Sequence, residues 1–158
     1  MQKRIMIEAK AAIQERQKRL ELGIDLHPRS KEDIMSWVGY LKFVEKDSIY
    51  YGQTYEVSVK LPSSYPMDPP QVSFVTKIFH PNVKYETGEI CLNLLKKEEW
   101  TIATSLYSLM IALQSIVNGP NCDSPLNLDS GNLFRNQDIV AYKSMVDYCY
   151  YENDLKHE

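Results

Sequence analysis

At 158 residues, with 25% charged and 44% hydrophobic side chains, the chain is long enough to close one hydrophobic core without disulfides or metal ions, and one domain spanning 1–158 is expected. No apolar run approaches the ~20 residues needed to cross a bilayer, and no amino-terminal stretch reads as a cleavable signal, so a soluble intracellular protein is expected. The net charge of −3 hides an asymmetry: residues 1–20 carry six Lys/Arg against two Glu, leaving −7 on the remainder. This argues against the broad basic surface of a nucleic-acid binder, so no nucleic-acid partner is expected.

The first element runs from Gln2 to about Leu20, free of Gly and Pro, with Ile5, Ala9, Ala12 and Ile13 at helical spacing. Gly23 and then His27-Pro28 interrupt it, and Asp25 to Asp33 reads as a polar connection. The segments IMSWVGYLKFV and QTYEVSVKLP are rich in β-branched and aromatic residues, and the second alternates as Tyr55, Val57, Val59 and Leu61; they predict antiparallel strands joined across Asp47 to Gly52. Pro66, Pro69 and Pro70 make a short extended link, incompatible with a helix, before a third strand at about Gln71 to Val75.

Residues 77–100 read as mostly irregular, a length that marks a functional loop, because the apolar ICLNLL argues against disorder. SLYSLMIALQSIVNG is apolar all round and ends at Gly119-Pro120, which predicts a buried central helix. Two further helices are expected near Asp129 to Arg135 and Asp138 to Glu152. Helix, strands, long loop and helices in that order make an α+β domain.

The chemistry-bearing residues lie in the long loop. Pro81 fixes its own φ and pushes His80 away from helical geometry, so His80-Pro81-Asn82 predicts a rigid turn. The Asn82 amide is then either a preorganised donor for an oxyanion at a carbonyl under attack or a brace for loop carbonyls. His80 has three readings, as general base, ligand or core hydrogen-bonder. Cys91 follows the bend at Gly88 without a helix start to lower its pKa, so it is either a buried filler or a thiol of ordinary pKa, about 8.5. Such a thiol suffices if the acyl group arrives as a thioester, since exchange between thiols is nearly thermoneutral. Cys122 and Cys149 read as packing residues, and three widely spaced cysteines without a CxxC pair suggest neither a disulfide framework nor a zinc site.

The basic first helix, Trp37, LPSSYPMDPPQVSFVTKIFHPNV, GEICLNLL, Trp100 and DSPLN, occurring in this order over nearly the whole chain, resemble the ubiquitin-conjugating enzyme family. The LLKKEEWT insertion and CDSPLNLDSGNLFR resemble its peroxisomal branch. The resemblance implies the ubiquitin-conjugating fold, with a four-stranded antiparallel meander. It implies that Cys91 carries ubiquitin as a thioester, that Asn82 assists attack on it and that His80 and Pro81 scaffold the turn. Lys3, Arg4 and Lys10 match the helix face that meets the ubiquitin-activating enzyme, and Met67, Ile102 and Ala103 match the loops that meet RING-type ligases. Ser124 stands where many relatives have an acid that prepares the incoming lysine, with Asp123 next door, which suggests a tolerance for a cysteine acceptor. No cofactor is implied, since ATP is used by the activating enzyme. The branch implies the peroxisomal import receptor as substrate and a membrane-anchored partner holding the enzyme at the cytosolic face of the peroxisome. That partner is expected at the carboxy-terminal helices, where Tyr148, Tyr150 and Tyr151 cluster. The alternatives are a cysteine hydrolase using Cys91 and His80, and a non-catalytic relative that only binds ubiquitin.

Overall fold

Alternation of apolar and polar side chains builds the sheet. In the computed structural model, which describes residues 1–155, β2 (Ser36–Lys42) and β3 (Thr54–Lys60) bury every second residue. Their antiparallel register sets Trp37 opposite Val59, Gly39 opposite Val57 and Leu41 opposite Tyr55, so all six face one core. β4 (Gln71–Phe74) continues the meander on the other side of β3, and the four strands lie in sequence order.

The fourth strand is at the start, where a polar connection was expected. β1 (Ile24–Pro28) pairs with β2 as an edge strand, burying Ile24 and Leu26 while Asp25 and His27 are only partly covered. Pro28, which has no N–H to give, sits at the strand's end, where proline is tolerated. The first helix also differs from the expectation of one continuous element. It divides at Glu15 into α1 (Gln2–Gln14) and α2 (Arg16–Glu21). Its buried stripe is Ile5, Glu8 and Ala12, at spacings of three and four, whereas Ile13 lies a further 100° round the helix and is 77% exposed.

α3 (Leu106–Asn118) crosses the inner face of the sheet. Ser105 caps it by accepting from Ser108 N–H, and Leu106, Leu109, Met110, Leu113 and Val117 are buried. The helix was expected to be buried all round, but Ile111 faces outward and only one face is covered. Close approach is possible because Gly39 has no side chain: a Cβ there would lie 2.6 Å from Met110 Cε. α4 (Leu128–Arg135) and α5 (Ile139–Leu155) follow. The long loop is mostly irregular, as expected, but it is tied down at a few points. Bridges pair Ser73 with Glu89 and Val83 with Ile90, and a single 3-10 turn covers Asn93–Leu95. Gly88 makes the bend, at φ +74° and with its Cα so near Phe74 O that no Cβ fits.

Candidate active site around Cys91

The turn before Cys91 is held from beneath. His80 is fully buried; its Nδ1 accepts from Asn82 N–H at 3.0 Å, so Nε2 carries the proton and donates to Ile116 O at 3.0 Å. Burial lowers its pKa to about 4, with the Ile116 and Val117 backbone opposing the shift. A neutral ring with both nitrogens engaged is a scaffold and not a base. One residue earlier, Phe79 O accepts from the Tyr50 hydroxyl at 2.8 Å, and Tyr142 OH donates in turn to Tyr50 OH at 2.7 Å.

Asn82 joins three pieces of chain. Its carbonyl accepts from Cys91 N–H at 2.8 Å. Its side-chain Nδ2 donates to Asn121 O at 2.7 Å, and Oδ1 accepts from Asn121 N–H at 2.9 Å. Pro81 O takes two further bonds from the same loop, from Leu126 N–H at 2.8 Å and Asn127 N–H at 3.3 Å. The Asn82 amide is therefore a brace in this conformation, with one Nδ2 hydrogen left over.

Cys91 itself is half-buried, neither sealed in the core nor fully open. Cys149 is buried and Cys122 half-buried, and in both burial is the main cause raising the thiol pKa. Asp123 and Ser124 are exposed on the loop that Asn82 clasps, and Asp123 N–H donates to Asn121 Oδ1. Arg135 Nη2 holds the same loop through Cys122 O at 2.6 Å. Among the described residues, no group of three His, Cys, Asp or Glu could hold a metal ion, and no helix is long and apolar enough to cross a membrane.

The remaining expected contacts separate. Lys3 and Lys10 are exposed, whereas the Arg4 guanidinium is spent on Glu8 and on the carbonyls of Ile102 and Thr104. Met67 and Ile102 are 69% and 56% exposed, Ala103 is exposed, and Trp100 Nε1 ties their two loops by donating to Pro66 O at 2.9 Å. Tyr148 and Tyr151 face outward, but Tyr150, expected beside them, turns inward: its hydroxyl accepts from Thr54 N–H and its ring lies 5.3 Å from Tyr55. Sequence reading missed Glu8, Tyr50 and Asn121. Only Glu8 carried a signal, as the charged member of the stripe between Ile5 and Ala12.

Residues 4–150 match the family model described as ubiquitin-conjugating enzyme. The chain is 41% identical over 121 residues to the ubiquitin-conjugating enzyme pex4 of Dictyostelium discoideum, covering 77% of this chain and 80% of that one. To the protein PEROXIN-4 of Arabidopsis thaliana it is 43% identical over 114 residues, covering 72% and 71%. Among solved structures, the ubiquitin conjugating enzyme Pex4p of H. polymorpha, determined in complex with the soluble domain of Pex22p, superposes with a TM-score of 0.87 at 30% identity, covering 95% of this chain and 96% of that one.

Proposed function

The chain belongs to the ubiquitin-conjugating enzyme family, and on that premise we propose that Cys91 is the sulfur that carries ubiquitin. The Cys91 thiolate attacks the thioester carbonyl by which ubiquitin arrives on the activating enzyme. A new C–S bond forms to Sγ, the old C–S bond breaks, and the departing thiolate takes up a proton equivalent to the one the Cys91 thiol lost to solvent on ionising. In the second step an acceptor amine or thiol attacks the same carbonyl, gives up its proton and releases Cys91. Asn82 keeps the 121–127 loop against the turn with Oδ1 and one Nδ2 hydrogen, and its second Nδ2 hydrogen is proposed as the donor to the oxyanion once the loaded carbonyl reaches the turn. The observation that carries this reading is a half-buried thiol whose backbone is bonded to a rigid His-Pro-Asn turn. It also disfavours the hydrolase, because His80 has no nitrogen left to activate water.

Lys3 and Lys10 are assigned to the activating enzyme, and Met67, Ile102 and Ala103 to a RING-type ligase. The peroxisomal import receptor is proposed as substrate, at the cytosolic face of the organelle. The likeness to pex4, to PEROXIN-4 and to a relative solved with Pex22p supports this assignment. A membrane-anchored partner would seat on α5 over a groove of about 520 Å³, where Leu128, Met145 and Tyr148 are exposed. Incubation with ubiquitin, ATP and activating enzyme tests the carrier: a reductant-sensitive adduct is expected, lost in Cys91→Ala and converted to a reductant-resistant ester in Cys91→Ser. An adduct that survives Cys91→Ala would remove the proposal.

A further inference from the structure

Arg4 and Glu8, one turn apart on α1, make bonds that neither transfer step uses. Arg4 donates from Nε to Glu8 Oε1 at 2.7 Å, from Nη1 to Ile102 O at 2.8 Å and from Nη2 to Thr104 O at 2.9 Å. Glu8, 9% exposed, accepts on Oε1 from the Tyr65 hydroxyl at 2.5 Å and on Oε2 from Leu106 N–H at 2.7 Å. Leu106 opens α3, so its amide is one of the donors the helix cannot satisfy internally, and the helix dipole favours an anion there. The buried Tyr65 precedes Pro66, whose carbonyl Trp100 holds from the other side. One ion pair therefore gathers three segments: α1, the turn bearing Met67, and the stretch from Ile102 to Leu106.

We propose that Arg4 and Glu8 are positioning residues for ligase recognition, fixing the backbone under Ile102 and Ala103 relative to Met67 so that the three exposed side chains present one preformed surface. This rests on assigning those three side chains to the ligase, as above. Ile102 and Ala103 are exposed and bury little to anchor their stretch, so its carbonyls are the handle by which it is held. A guanidinium reaches two carbonyls and a carboxylate with one planar fork, which an ammonium does not reproduce. A surface already in shape meets its partner without an ordering cost. Releasing it weakens the encounter and leaves the chemistry at Cys91 alone.

The test compares Arg4→Ala, Arg4→Lys and the double variant Arg4→Met/Glu8→Gln, which keeps side-chain volume and leaves no buried carboxylate without its cation. Loading, unassisted discharge to free lysine and discharge titrated with a RING domain that accelerates the parent enzyme are measured, with amide exchange across Thr104 to Leu106. Loading and unassisted discharge should stay within about twofold of the parent. The apparent KM for the RING domain should rise about tenfold at an unchanged maximal rate, with faster exchange at those amides and only partial rescue in Arg4→Lys. A parental KM in both Arg4→Ala and the double variant overturns the proposal, as does a lower maximal rate at parental KM. Ile102→Glu, which leaves the backbone bonds in place, runs alongside. If it too leaves the KM unchanged, the ligase surface itself is misassigned; if it raises the KM while the Arg4 variants do not, the positioning role alone falls.

Discussion

Replacing Asn82 by alanine removes both bonds to Asn121 and leaves the Asn82 backbone bond to Cys91 intact. Each bond is worth about 1 kcal/mol net. Asn121 is exposed, so water re-solvates its freed backbone groups and little orphan penalty is added. The loss should come to about 2 kcal/mol, which for a chain of this length lowers Tm by roughly 4–8 °C. Thermal unfolding followed by circular dichroism reads that term; single-turnover loading and discharge read the chemistry. Loading should persist, while discharge falls by about a hundredfold as the second Nδ2 hydrogen is lost from the oxyanion. A variant melting at the parental temperature would refute the clasp whatever its activity, and a melting shift with parental discharge would leave Asn82 as a brace without a chemical role.

Three further outcomes are expected. Gly88→Ala puts a Cβ 1.9 Å from Phe74 O at φ +74°, so chemical denaturation should find it less stable by about 3 kcal/mol; a parental midpoint would contradict the close approach. His80 is held at about 4 by burial, against about 6.5 in the unfolded chain, so the stability it contributes is whole above pH 6.5 and is lost as pH falls toward 4. The difference in unfolding free energy between the parent and His80→Gln should therefore shrink by about 3 kcal/mol between pH 7 and pH 4, and a constant difference would deny a buried neutral ring. Ser124→Asp should raise discharge to free lysine more than to free cysteine, because an amine starts near 10.4 and a thiol near 8.5; equal changes would discount Ser124 in acceptor choice.

The strands and helices with many alternating or periodic apolar residues were legible: β2, β3 and α3 to α5 fall where the sequence places them. β1 was not, because a five-residue edge strand with two buried apolar side chains and a terminal proline looks like a loop until β2 lies beside it. The break at Glu15 leaves no Gly or Pro to announce it. At the site, the triplet and Cys91 were visible as a pattern, but the partner of Asn82 lies 39 residues away and that of Tyr50 29 away, separations that local spacing does not encode. Arg4 and Glu8 stand four residues apart, a spacing that any helix face can carry. Only the fold shows that they face the start of α3.

For the carrier role proposed above, the engagement of both His80 nitrogens has a consequence for time as well. An enzyme that kept a proton shuttle beside its own acyl sulfur would squander the cargo on water; here the imidazole is withdrawn from that traffic. On the proposal that Cys91 is the carrier, the charged molecule should behave as a slow fuse, with the moment of firing left to whichever companion delivers the recipient.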